Sequence, residues 1–184
     1  TKPITSTPTN LYKAQGGRRK YATYQIERHD LPDGSICLNN ITPIPDPLPD
    51  VMDRLERWAG LDADYLFLTD PPETGGTMLT YGQAATQSVA LMQVLAGLGC
   101  SKGDVIAVLL PASCDHALIK LACLRGGFIH APLSPTLLKT ETGLQKLQGM
   151  LGICQPRVII TLESDSDVLP ADKGQILSVK DLMA

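Results

Sequence analysis

Histidine is the side chain best suited to moving protons near neutral pH, and this chain has three, His29, His116 and His130. They lie far apart in sequence and have no metal-ligand spacing. His116 falls in the first turn of an expected helix, where a surface or cap role explains it better than a proton shuttle without a visible partner. His130 sits mid-strand in Phe-Ile-His-Ala-Pro-Leu, the setting of a buried, hydrogen-bonded structural histidine. Ser113 follows a strand as a nucleophile would, but G-x-S-x-G is absent and Pro111-Ala112-Ser113 reads as a helix cap. Asp62 and Asp64 have no third carboxylate with which to hold a cation. Thr74-Gly75-Gly76-Thr77 is like a phosphate loop, yet it lacks the following lysine and lies between two expected strands. Gly16-Gly17-Arg18-Arg19-Lys20 could meet a phosphate or a partner, although a solvated basic patch is the simpler reading. No G-x-G-x-x-G follows the first parallel strand, which argues against a dinucleotide site. Residue chemistry therefore assigns no catalytic, cofactor-binding or metal-binding residue.

Composition narrows the classes. With 184 residues and 43% hydrophobic content the chain can build a core, and at 4% aromatic that core must be aliphatic. A net charge of -3 makes no electrostatic case for nucleic acid or membrane binding. The opening TKPITSTPTN has neither the basic start nor the apolar run of a signal peptide. No apolar run approaches the ~20 residues that span a bilayer, so a soluble protein is expected. Cys37, Cys100, Cys114, Cys123 and Cys154 are odd in number and contain no C-x-x-C pair. They read as reduced thiols rather than disulfides or zinc ligands, which implies a cytoplasmic location.

The elements that would position any site centre on Asp104 to Leu133. Val105 to Leu110 is an unbroken apolar run of the length of a strand buried on both faces. Ser113 caps a helix carrying Asp115 in its first turn and Ala117, Leu118, Leu121 and Ala122 at helical spacing. Arg125-Gly126-Gly127 stops it, and Phe128 to Leu133 returns as a second strand. Such a β-α-β unit implies a right-handed crossover and a parallel sheet.

Around this unit, Thr- and Pro-rich residues 1 to 15 read as extended or disordered. Tyr21 to Arg28 and Ser35 to Asn39 form a hairpin about Pro32-Asp33-Gly34. ITPIPDPLPD is a proline-stiffened connector. Asp50 caps a helix with Val51, Met52, Leu55, Trp58 and Ala59 on its apolar face and Gly60 at its end. Tyr65 to Thr69 and Thr77 to Thr80 are short strands, and Thr80 with Gln83 forms a capping box for a long helix ending at Gly99. After Ser134-Pro135, Thr140 or Thr142 starts a helix with Leu144, Leu147, Leu151 and Cys154 inward, ended by Pro156. Val158 to Thr161 is a third buried strand, Glu163 to Lys173 an acidic loop, Ile176 to Val179 a last strand, and Lys180-Asp181-Leu182 the start of a helix. The expected fold is α/β, a doubly wound and mainly parallel sheet flanked by helices, with an N-terminal hairpin.

The order of these segments resembles the adenylate-forming (AMP-binding) superfamily. The motifs are Leu79-Thr80-Tyr81-Gly82-Gln83, then Gly99 and Lys102-Gly103-Asp104-Val105, then Val108-Leu109-Leu110-Pro111-Ala112-Ser113. Leu121-Ala122-Cys123-Leu124-Arg125-Gly126-Gly127 through Ala131-Pro132-Leu133-Ser134-Pro135 is similar to a following family segment, so the resemblance covers about residues 50 to 162. Within the superfamily, Leu31-Pro32-Asp33-Gly34-Ser35, the proline-rich connector, Asp53 to Ala59 and the Ser134-Pro135 pair look like the feruloyl-CoA synthase branch.

The resemblance implies a ligase that activates a carboxylic acid with Mg-ATP to an acyl-adenylate and passes the acyl group to the thiol of CoA. In the feruloyl branch the acid is ferulate or a related hydroxycinnamate, as in phenylpropanoid degradation. ATP, Mg2+ and CoA are then substrates or cofactors of the full-length enzyme, and none is expected on this chain. The alternatives are a ligase for another aryl or fatty acid, or a truncated non-catalytic binding module. The motifs TSGTTG, Y-G-x-T-E and T-G-D are absent from these residues, so the resemblance transfers no site residue. It divides the chain into a flexible tail, 1–20, and the N-terminal portion of an AMP-binding domain, 21–184, which stops in mid-fold. A fragment of that kind is expected to be inactive alone and, with sheet surface uncovered, to be a possible homo-oligomer.

Overall fold

The computed structural model describes residues 25–43 and 50–183. The tail 1–20 with its basic cluster, the expected strand residues Tyr21 to Tyr24 and most of the proline-rich connector lie outside them. The chain divides into two compact units, residues 1–48 and 49–184.

In the first unit, β1 (Ile26–Asp30) and β2 (Ile36–Asn40) pair antiparallel, with His29 opposite Cys37. Gly34 turns the chain at φ 83°, a left-handed conformation that glycine adopts without a Cβ clash. Asp33 accepts hydrogen bonds from the Ser35 hydroxyl (2.7 Å) and amide (2.9 Å), which hold its carboxyl below the usual range.

In the second unit, Asp50 caps α1 (Val51–Leu61) by accepting from the Met52 amide at 2.8 Å. The expected apolar face is only half used. Met52 and Leu55 are buried, whereas Val51 and Trp58 stay exposed. Gly60 does not end the helix, which runs to Leu61 before Asp62 donates to the Trp58 carbonyl. Interior glycine weakens a helix by about 1 kcal/mol but does not break it. The hairpin of β3 (Leu66–Thr69) and β4 (Met78–Thr80) leads directly into α2 (Tyr81–Gly97) through the Thr80–Gln83 capping box. Gly82 sits where a Cβ would lie 2.9 Å from that of Ala63, so only glycine lets the α2 start approach the α1–β3 connection. Helix α2 ends two residues before Gly99, whose φ of 84° makes the turn after it.

The central sheet contains β5 (Val105–Leu109), β6 (Ile129–Pro132), β7 (Val158–Thr161) and β8 (Gln175–Ser178), in the order β6-β5-β7-β8 and all parallel. Helix α3 (Cys114–Gly126) crosses from β5 to β6, α4 (Glu141–Cys154) from β6 to β7, and α5 (Val179–Met183) follows β8. Alternate residues of a strand point to opposite faces. Ile106, Val108, Val158 and Ile160 accordingly pack with buried residues of α1, α2 and α3. Ala107, Leu109 and Ile159 pack with Leu147 and Leu151 of α4. Successive crossovers thus lie on opposite faces, as right-handed connections require when the winding direction reverses. The sheet is doubly wound.

Arg125, in the last turn of α3, ties the helices of the broad face together. Its guanidinium donates to the Ser88 hydroxyl at 2.8 Å and the Ala85 carbonyl at 3.3 Å on α2, and pairs with Glu56 on α1. The expected acidic loop is partly ordered as two 3-10 turns, Glu163–Val168 and Ala171–Lys173, because Leu169 between them is buried in the α4-side core. Val179 opens α5 instead of ending β8.

Candidate functional site

In an open parallel sheet, ligands gather outside the carboxyl ends of strands where the winding reverses. Here the chain leaves β5 towards β6 and leaves β7 in the opposite direction, towards β8, which makes the β5–β7 junction that point. A cleft of about 280 Å3 opens there, lined by Pro111 after β5, Pro135, Thr136 and Lys139 after β6, and Leu162, Ser164 and Asp165 after β7. The Ser134 and Thr136 hydroxyls share a 2.8 Å hydrogen bond, and Ser164 donates to Asp165 at 3.2 Å. Thr161, the last residue of β7, is fully buried with no partner for its hydroxyl among the described residues. An unsatisfied buried hydroxyl costs roughly 1–3 kcal/mol.

A second cleft of about 450 Å3 lies on the α3 side, lined by Leu68, Asp70, Pro71, Ser113, His116 and Lys120. The amides at the start of α3 are already used. Asp70 accepts from the Cys114 amide at 2.8 Å, the Ser113 hydroxyl from His116 at 3.2 Å, and the Ser113 carbonyl from Ala117 at 3.0 Å. Ser113 is thus a cap, as its sequence setting implies, and His116 meets it through a backbone amide instead of as a base. The His116 ring places Nδ1 3.2 Å from the Pro111 carbonyl. Burial, together with the nearby Asp70 charge, raises the Asp115 carboxyl above its ordinary range.

The fold brings His116 and His130 together, with ring centroids 5.3 Å apart. Here one expectation needs correction. His130 is half-buried, but its buried Nε2 finds no hydrogen-bond partner among the described residues. Its β6 backbone is committed to the ladder opposite Ile106, and that register fixes where the ring lies. Burial first, then His116 and Lys120, push its pKa down to about 4, so the ring is neutral at pH 7. In the first unit, His29 lies on β1 beside Glu27, 3.4 Å away.

The remaining candidates do not assemble. Thr74 to Thr77 closes the β3–β4 hairpin, and the Gly75 and Gly76 amides bond the Pro72 and Pro71 carbonyls, which occupies the donors a phosphate would need. Asp62 and Asp64 are exposed, and Asp62 ends α1. All five cysteines are free. Cys100, Cys114 and Cys123 are buried, and burial raises each thiol, Cys123 to about 12, which disfavours the reactive thiolate. Among the described residues no three His, Cys, Asp or Glu side chains converge on a metal position. Among them, too, no helix is long and apolar enough to cross a membrane. Sequence reading missed Asp70, Lys120 and Lys139. Asp70 lies between the two expected short strands, and its bond to Cys114, 44 positions away, leaves no local signal.

Comparison with known proteins places this architecture. The model of the AMP-binding enzyme family matches residues 55–182, more than half of the chain. A PKS-NRPS hybrid synthetase of Aspergillus candidus is 30% identical over 108 residues, covering 59% of this chain and 4% of that protein. An acetyl-coenzyme A synthetase of Xanthomonas oryzae is 29% identical over 112 residues, covering 61% of this chain and 16% of that protein. Among solved structures, a fatty acid AMP ligase from Legionella pneumophila superposes with TM-score 0.63 at 19% identity, over 71% of this chain and 23% of that one. VinN bound to 3-methylaspartate superposes with TM-score 0.62 at 24% identity, over 72% and 35%. These likenesses show the same α/β fold, and the chain spans only a small part of each relative's length. With the family match extending from α1 to α5, the chain belongs to the AMP-binding enzyme family and corresponds to the N-terminal region of its adenylate-forming members.

Proposed function

We propose that this chain forms the N-terminal region of the large domain in an acid–thiol ligase. In that reaction a carboxylate oxygen attacks the α-phosphorus of ATP, with Mg2+ offsetting the phosphate charge, and the bond to pyrophosphate breaks. The CoA thiol then loses its proton, attacks the acyl carbonyl and expels AMP. The observation that carries the proposal is the family match over residues 55–182. Within such an enzyme these residues act as scaffold and as one wall of the site, with the cleft at the β5–β7 junction facing the substrates. A cytoplasmic enzyme accords with five free cysteines.

For the acid, we propose ferulate or a related hydroxycinnamate, supported by Leu31 to Ser35, Asp53 to Ala59 and Ser134-Pro135 in the sequence. The relatives named above favour a second reading, since their names point to acetate, fatty acids and peptide synthesis. The deciding measurement is pyrophosphate release by the intact ligase containing this chain, across ferulate, acetate, fatty acids and amino acids. Ferulate should turn over fastest. Turnover of another acid with ferulate inert overturns the choice of acid, and no release with any acid favours a non-catalytic module. In isothermal titration of the 184-residue chain alone, micromolar ATP affinity would contradict a scaffold role.

Self-association is also expected, because Trp58, Leu61, Tyr65, Leu66 and Met78 leave much apolar surface exposed on α1 and the β3–β4 hairpin. Sedimentation velocity should show concentration-dependent association. A monodisperse monomer at high concentration would refute it.

A further inference from the structure

We draw no further inference here: the strongest candidate, the cavity between the β3–β4 hairpin and the first turn of α3 with the His116–His130 pair beside it, carries nothing, because Asp70 and Ser113 already occupy the α3 amides that would hold an anion and no third ligating group joins the two imidazoles among the described residues.

Discussion

On one face of the sheet Ile106, Val108, Val158 and Ile160 meet buried residues from α1, α2 and α3, whereas on the other Ala107, Leu109 and Ile159 meet α4 and a fringe of half-buried leucines. The same strands supply both faces through alternate residues, so the difference lies in what covers them. The broad face is a closed aliphatic core, pinned where three helices meet at Arg125. The narrow face is thinner, and at its carboxyl end it borders the cleft between Pro111, Lys139 and Leu162. Both faces border a cleft, but that of the narrow face lies where the winding reverses, whereas the amides beside the one near α3 are already bonded.

Truncating one large side chain on each face is the most severe test of this contrast. Leu95 of α2 and Leu151 of α4 are both fully buried. Leu95→Ala should cost roughly 3–5 kcal/mol, since its surroundings cannot collapse, and Leu151→Ala roughly 2–3, since half-buried neighbours can move in. Urea denaturation compares them, and equal losses would mean that the two faces are packed alike.

Removing the pin of the broad face should have a smaller effect. Arg125→Ala should cost roughly 2–3 kcal/mol, because it strips hydrogen bonds from α2 as well as the ion pair. Glu56→Gln should cost about 1 kcal/mol or less, because Glu56 is half exposed and exposed pairs contribute little. If the two substitutions cost the same, the ion pair alone joins the helices.

An effect smaller than that of Arg125→Ala, and dependent on pH, concerns His130, on the broad-face side of β6. Its folded pKa of about 4 lies below the ordinary 6.5, so the unfolded chain binds the extra proton first as pH falls. Stability is complete above about 6.5 and drains away as pH falls towards 4. Allowing for the partial exposure of the ring, the loss is roughly 1–2 kcal/mol. His130→Asn should flatten thermal stability between pH 6.5 and 4 relative to the parent chain. An unchanged pH profile would place the titration elsewhere.

Local rules determined much of this protein. The apolar runs at 105–110 and 158–161, the Ser113 and Thr80 caps and the Gly127 stop each depend on a few consecutive residues, and the structure keeps them, the first run as a strand that ends one residue early at Leu109. Segment order also sufficed to recognise the family, because motif spacing is itself a sequence property. Only the tertiary structure decided that β7 lies beside β5, since strand order depends on which face each crossover covers. It alone brought His116 to His130 and Asp70 to the start of α3, contacts between positions that share no local pattern. The candidate site was least legible for the same reason. A cleft at the β5–β7 junction is assembled from three loops far apart in sequence, and no one of them carries its chemistry alone.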